Sequence, residues 1–437
     1  MKKLLTIFLG LIIAISYTSP LSAADTAYPA IESEAAILMD ARTGQVLYEK
    51  SMNEQLYPAS ITKIMTVLLG IENGDLSDTI TMSRQAVFSI DKGSSHIALD
   101  VGEQIGLEQA LMAAMLPSAN EASNGVAEYI SGSIPEFVNL MNKRAVEAGA
   151  LHTRFANANG LPNYEHVTTA YDMAMITKEA LMNEQFRRIF GTLKYEIPPT
   201  NQQPKPRYLY TEHKMLQSGK YKYDGVIGGK TGYTKDAQCT LVTAARRGER
   251  ELIVVVLKSL GTGVYTDTKT LLDYGFDQFT ATPITLPAVT ADNLANPQEN
   301  LKSAQNIFNQ LQDFNYTRLL HKNIDVNGIV VDYTAVENPT TKKTQLKADI
   351  HLKNQSDLMY ANLGSILMDS PPQETNVLQS TLINISLIIA KIIAAIVIVL
   401  FALRWFIKLK NKKRKRYGVI DTSIRSGTRV KYSKPKD

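Results

Sequence analysis

Cys239-Thr-Leu-Val-Thr-Ala-Ala-Arg-Arg-Gly-Glu-Arg-Glu-Leu-Ile-Val-Val-Val-Leu257 sets two apolar runs on either side of a charged turn containing glycine, the pattern of a β-hairpin. The same idea occurs near the other end of the chain. There Ala36-Ile-Leu-Met-Asp40 and Gln45-Val-Leu-Tyr-Glu49 flank Ala-Arg-Thr-Gly. Between the two hairpins the apolar period is mainly that of helices, over 60–70, 106–116, 120–130, 134–148 and 169–182. Strands at both ends with helices between imply an α+β domain, an antiparallel sheet packed with helices. Residues 196–207 carry four prolines and no apolar period, so a loop is expected there. After Phe276 short alternating runs take over, such as Ile329-Val-Val-Asp-Tyr333 and Leu346-Lys-Ala-Asp-Ile-His-Leu352, and a small β-rich domain is expected over 281–372.

The formal net charge of +5 comes from the ends. Residues 408–437 hold twelve Lys/Arg against two Asp, whereas residues 25–381 carry −9. An acidic folded part argues against nucleic acid as a partner. Met1-Lys2-Lys3, the apolar run 4–15 and Ser22-Ala23-Ala24 read as a signal peptide over 1–24. Residues 382–407 are apolar and long enough to span a bilayer, with Lys391 unusual near the middle. The basic residues from Lys408 to Arg416 put the tail 408–437 inside. A single-pass bacterial membrane protein is expected, with its globular part outside and its C-terminus cytoplasmic.

One cysteine, Cys239, makes no internal disulfide, and in its apolar strand it reads as a buried structural thiol. The six histidines lack metal-ligand spacing, so no metal and no cofactor are expected. His152 and His166 read as structural, and the Tyr-rich stretch 208–223 as a packed loop rather than a glycan platform.

Three short elements carry chemistry. Pro58-Ala59-Ser60-Ile61-Thr62-Lys63 starts a helix and sets a hydroxyl and an amine three residues apart on one face. A serine becomes a nucleophile only beside a base, and lysine is a base only when burial or nearby positive charge makes it neutral. Ser118-Ala119-Asn120 follows the helix ending at Leu116, offering a hydroxyl for proton relay and an amide for substrate backbone. Lys230-Thr231-Gly232 precedes the late hairpin; its amine attracts a carboxylate and its glycine admits close backbone approach.

Taken together and in this order, Ser-x-x-Lys, Ser-x-Asn and Lys-Thr-Gly resemble the motif set of β-lactamases and penicillin-binding proteins. Tyr57-Pro-Ala-Ser-Ile-Thr-Lys-Ile-Met-Thr66, Met115-Leu-Pro-Ser-Ala-Asn-Glu-Ala122 and Lys230-Thr-Gly-Tyr-Thr234 narrow the resemblance. So do His152-Thr-Arg-Phe155, Gly160-Leu-Pro162 and Thr168-Thr-Ala-Tyr-Asp-Met173. They are similar to the serine-type D-Ala-D-Ala carboxypeptidases, the low-molecular-mass penicillin-binding proteins. The resemblance runs through residues 32–280 and implies a β-lactamase/transpeptidase-like domain over 30–280.

It also implies roles. Ser60 attacks the D-Ala-D-Ala carbonyl of a peptidoglycan pentapeptide, Lys63 takes its proton, and Ser118 passes one to the departing D-alanine. Asn120 and Thr231 hold the substrate, Gly232 lets its backbone approach and Lys230 attracts its carboxylate. The N–H groups of Ser60 and Tyr233 form the oxyanion hole. β-Lactam antibiotics are the implied inhibitors.

Two departures stand out. Gly228-Gly229 occupies the place where the family has an apolar residue before Lys-Thr-Gly. Residues 258–270 offer only Lys258 and Lys269 where many members place an arginine for the substrate carboxylate. The rival readings are a D,D-endopeptidase, a β-lactamase-like hydrolase and a non-catalytic wall-binding scaffold. The glutamate that a class A β-lactamase needs for deacylation has no counterpart at the right distance; Glu179-Ala-Leu-Met-Asn183 comes too late.

Overall fold

Alternation along two neighbouring strands decides how the central sheet is buried. In the computed structural model β1 (Ala35–Asp40) sends Ala35, Ile37 and Met39 into one apolar cluster and Ala36 and Leu38 into another. The late hairpin does the same: Ile253, Val255 and Leu257 face one way, and Leu252, Val254 and Val256 the other. A strand covered on both faces needs a continuous apolar run, which is why Leu252–Leu257 has no polar residue. The structure describes residues 28–310, 315–338, 341–353, 358, 360–369 and 399–408.

The sheet is antiparallel. With β2 as Val46–Lys50, β3 (Thr79–Thr81) and β4 (Gln104–Gly106) form a small separate pair, as do β5 (Lys194–Ile197) and β6 (Arg207–Tyr210). β7 (Val226–Thr234), β8 (Gln238–Arg247) and β9 (Arg250–Ser259) complete the main sheet in the order β2-β1-β9-β8-β7. The early hairpin therefore docks on the outer edge of the late one, with Ala35 opposite Leu257 and Asp40 opposite Leu252. Helix Gly263–Gln278 covers one face. Helices Lys63–Asn73, Leu107–Met115, Asn120–Ser131, Ile134–Glu147 and Ala170–Ala180 build the core on the other. Their starts follow local chemistry: Ser133 and Thr169 accept from the N–H groups of Glu136 and Asp172, and Pro135 sits in the first turn of Ile134–Glu147.

Of the proline-rich stretch only 198–206 is a loop; Glu196 and Ile197 end β5 and Arg207 opens β6, and the loop is tethered. Arg207 donates to both carboxylate oxygens of Glu103 at 2.6 and 3.0 Å and to the carbonyls of Ile97 and Ala98. Glu103 is fully buried, and Thr200 also donates to it. A bidentate buried pair of this kind fixes geometry, because removing one partner leaves a buried charge unpaired.

β10 (Phe279–Thr285) and β11 (Asn315–His321) pair with each other; β12 (Ile329–Glu337), β13 (Thr344–Leu352) and β14 (Asn362–Asp369) form a three-stranded sheet. A third apolar cluster, centred on Tyr333, Leu346, Ala348 and Ile350, packs there with helix Pro297–Phe308. That helix is absent from the β-rich expectation; Asn296-Pro297 and Glu299 are its start signals. Gln45 ties β11 to the early hairpin, exchanging bonds with Leu319 N and O at 2.9 and 2.7 Å.

The residues after Asp369 form a separate unit, in which 399–408 is helical with Phe401, Trp405 and Phe406 exposed. Among the described residues no helix is long and apolar enough to cross a membrane. The expected signal peptide 1–24, most of the expected span 382–407 and nearly all of the expected cytoplasmic tail lie outside the described residues.

Candidate active site

Ser60 lies in a 3-10 turn, Ala59–Thr62, that runs directly into helix Lys63–Asn73. Ala59 has φ +50°, a left-handed conformation that costs a residue with a Cβ about 1 kcal/mol or more. Two glycines and one threonine clamp this turn. A Cβ at Gly232 of β7 would lie 2.4 Å from Thr240 Oγ1 and 2.8 Å from Ser60 N. A Cβ at Gly160 would lie 2.0 Å from the Ala59 carbonyl oxygen and 3.0 Å from Ser60 N. Thr240 Oγ1 donates to Pro58 O at 2.8 Å. Strand edge and loop thus press on the nucleophile turn from two sides.

Lys63 is wholly buried, with Nζ 3.0 Å from Ser60 Oγ, 2.7 Å from Asn120 Oδ1 and 2.5 Å from the Asn159 carbonyl. Burial first, then the charge of Lys230, hold its pKa well below the usual lysine value; Glu212 and Glu121 oppose the shift. A neutral amine has two N–H groups and one lone pair. Donating to Asn120 and Asn159 leaves the lone pair for the Ser60 hydroxyl proton. That is the geometry of a serine nucleophile with its base in place.

Ser118 stands at φ +65°, almost fully buried, lines the cleft, and its Oγ has no hydrogen-bond partner among the described residues. Lys230 is buried on β7 and donates to Thr231 O at 3.0 Å; burial lowers its pKa to about 8. Thr231 donates to Glu212 Oε2 at 3.3 Å. Thr231, Gly232 and Tyr233 line the same cleft of about 510 Å³ as Ser60, Ser118 and Asn120, with Tyr233 exposed at its rim.

His166 is buried outside the catalytic contacts. Its Nε2 lies 2.7 Å from Thr62 Oγ1 and its Nδ1 accepts from Ala156 N, so the neutral ring braces the turn. Burial and Lys63 push its pKa to about 3. His152 keeps an exposed ring and donates its backbone N–H to Asp172. Glu179 pairs with Arg144 and Lys178. Cys239 departs from the expected buried thiol: it is only half-buried and lines the cleft opposite Tyr233, because β8 runs along the cleft floor.

Both departures at Lys-Thr-Gly have structural answers. At Gly228 a Cβ would lie 2.1 Å from the Phe190 ring, and at Gly229 2.2 Å from the His213 ring. Those two rings fill the space an apolar side chain would take. Lys258 binds Glu34 and Lys269 binds Asp273, so neither reaches the cleft. A cation that does line it is Lys214, with Nζ 5.8 Å from the Tyr265 ring centroid; Thr231 and Thr262 line the same cleft. Lys214, Glu212, Asn159, Thr240 and Thr262 were not identifiable as site residues from spacing alone. Gly160 carried a signal, its place in Asn159-Gly-Leu-Pro162.

A buried amine held on a serine hydroxyl, in a cleft edged by an antiparallel strand, defines a serine acyl-transfer site of the penicillin-binding type. The D-alanyl-D-alanine carboxypeptidase family matches residues 22–260, and the chain belongs to that family. It is 36% identical over 294 residues to the D-alanyl-D-alanine carboxypeptidase DacF of Bacillus subtilis, covering 65% of this chain and 73% of that one. With DacC of Escherichia coli the identity is 32%, covering 59% of this chain and 64% of the relative, a little under two thirds of its length. A Streptomyces DD-transpeptidase structure superposes with TM-score 0.54 at 28% identity, over 57% of this chain and 99% of that one. The Mycobacterium tuberculosis D-alanyl-D-alanine carboxypeptidase gives TM-score 0.53 at 28% identity, over 58% of this chain and 95% of that one.

Proposed function

We propose that this enzyme removes the terminal D-alanine from peptidoglycan stem peptides through an acyl-enzyme on Ser60. The observation that carries the reading is the fully buried Lys63, with Nζ 3.0 Å from Ser60 Oγ. Ser60 Oγ attacks the D-Ala-D-Ala carbonyl carbon while its proton passes to Lys63 Nζ. The N–H groups of Ser60 and Tyr233 hold the oxyanion. The C–N bond breaks as the proton returns, by way of the Ser118 hydroxyl, to the departing amine. Water then attacks the ester, gives a proton to Lys63 and releases the shortened peptide; Ser60 recovers its proton as the C–O bond breaks. Asn120 and Thr231 position the peptide backbone, and Gly232 keeps β7 close to the turn. Protonated Lys230 and Lys214, with Thr262, meet the terminal carboxylate.

The same reading makes penicillins covalent inhibitors. It places the catalytic part outside a bacterial cytoplasmic membrane, with 1–24 as signal peptide, 382–407 as a single span and 408–437 as a basic cytoplasmic tail. The apolar run and the basic cluster after it support this. A separate apolar cluster supports reading 281–372 as a domain of its own.

Incubating the full-length protein with a labelled penicillin tests the chemistry. A long-lived covalent adduct is expected, absent in Ser60→Ala. No adduct on the unmodified protein overturns the acyl-enzyme, and rapid turnover of the drug favours a β-lactamase. D-alanine released from a linear pentapeptide, without cleavage of cross-linked dimers, separates carboxypeptidase from endopeptidase.

A further inference from the structure

Burial alternates along Thr211-Glu-His-Lys-Met215, which passes beside β7. Thr211, His213 and Met215 are buried, and His213 Nε2 lies 2.8 Å from Thr243 Oγ1. Glu212 and Lys214 alternate with them, stay exposed and line the catalytic cleft. The segment is held from behind, and Glu212 N donates to Leu116 O at 3.3 Å, two residues before Ser118. One anion and one cation are thus presented to the end of the cleft where Lys230 and Lys214 are to meet the terminal carboxylate.

The anion is the unexpected one. That end has to attract a carboxylate, and Glu212 brings a carboxylate of its own. It accepts from Thr231 Oγ1 at 3.3 Å and has no ion-pair partner among the described residues. A threonine hydroxyl has one proton to donate. While Glu212 takes it, the substrate cannot. The charge of Glu212 also reaches the two buried lysines: burial lowers the pKa of Lys63 and of Lys230, and Glu212 opposes the shift in each. A substrate carboxylate arriving there must replace Glu212 at the hydroxyl and settle beside a like charge.

We propose that Glu212 is a specificity-determining residue, which occupies the Thr231 hydroxyl in the free enzyme and tempers the preference for a leaving residue with a free carboxylate. The inference rests on the carboxypeptidase reading. A peptide whose last residue is neutral escapes the repulsion. The enzyme therefore tells acid from amide less sharply than Lys230 and Lys214 alone would make it.

The test compares Nα,Nε-diacetyl-Lys-D-Ala-D-Ala with its C-terminal carboxamide, on the full-length enzyme at pH 7 and low salt. The quantity read is the ratio of the two kcat/KM values, from which a general loss of folded enzyme cancels. In Glu212→Gln the acid-to-amide ratio is expected to rise about three- to fivefold, the upper range for exposed charges, through a lower KM for the acid peptide. Asp224→Asn is the control. Asp224 is exposed, pairs with Lys222 and does not line the cleft, so this change removes one negative charge without touching Thr231. Its ratio stays at the value of the unmodified enzyme. A ratio unchanged or lowered in Glu212→Gln, or raised equally in Asp224→Asn, overturns the role of Glu212 while D-alanine release from the acid peptide upholds the activity. With a carboxamide cleaved too slowly to measure, the KM of the acid peptide decides, and a KM in Glu212→Gln at or above that of the unmodified enzyme overturns the role. No D-alanine from the acid peptide with the unmodified enzyme overturns the activity and the role together.

Discussion

Gly160→Ala separates the clamp on the nucleophile turn from ordinary glycine flexibility. Gly160 has φ +85°, so any side chain there meets left-handed strain of about 1–2 kcal/mol. The added methyl would also lie 2.0 Å from the Ala59 carbonyl oxygen and 2.4 Å from its carbon, both backbone atoms. Ordinary contact begins near 3.4 Å, so the turn or the loop must move by more than 1 Å. Overpacking of this kind adds about 1–3 kcal/mol. The sum, about 2–5 kcal/mol, lowers Tm by several degrees at about 2 °C per kcal/mol for a domain of this size. A 1 Å displacement of a reacting group costs about 100-fold in rate. Gly132→Ala is the control: Gly132 has φ +75° and nothing within 4 Å of a Cβ. It carries the strain alone and acylates normally. Stopped-flow quenching of a fluorescent penicillin and thermal melts supply the two readouts. Wild-type acylation in Gly160→Ala, or equal slowing in the control, refutes the clamp.

Three further outcomes follow from the site's charges. The proposed mechanism needs Lys63 neutral and Lys230 protonated, so kcat/KM is expected to fall as pH drops through the lowered pKa of Lys63 and again as pH rises through about 8; a profile still climbing at pH 10 contradicts this. Lys214→Met is expected to raise KM for a D-Ala-D-Ala peptide about fivefold with little change in kcat, and an unchanged KM removes Lys214 from the carboxylate end. His166 and His213 are both held neutral by burial with pKa about 3, below their unfolded value of 6.5. The unfolded chain binds more protons between those values, so stability present above pH 6.5 is lost as pH falls toward 3. Each histidine contributes on the order of 2–3 kcal/mol of loss by pH 4.5, which urea unfolding at pH 7 and pH 4.5 measures; equal midpoints contradict it.

The sequence made the reacting residues legible because each motif is local: Ser60 and Lys63 share one turn, and Lys230 to Gly232 share one strand. The helices were legible because their caps and apolar periods are also local. What stayed hidden was long-range. Nothing near Asn159 in sequence announces that its carbonyl accepts a hydrogen bond from Lys63, 96 residues away. Gly228-Gly229 looks like a weakness until Phe190 and His213 are folded against it. Lys258 and Lys269 were plausible carboxylate anchors by position, and only the fold pairs them with Glu34 and Asp273. Cys239 read as core because its strand is apolar, but the cleft reaches the start of that strand. Helix Pro297–Phe308 was lost among alternating runs although Asn296-Pro297 marks its start.

The strand order β2-β1-β9-β8-β7 also sets a timetable. β1 is made among the first residues of the globular part, yet its inner neighbour is β9, which ends at Ser259. Until that strand exists, Ala35–Asp40 has one partner hairpin and a bare edge, and Lys230 is not yet in place to depress Lys63. Pairing across more than 200 residues is slow to form, because loop closure precedes any reward from contact. A chain still being made is therefore chemically silent. Its nucleophile is assembled late, all at once, when the far hairpin arrives.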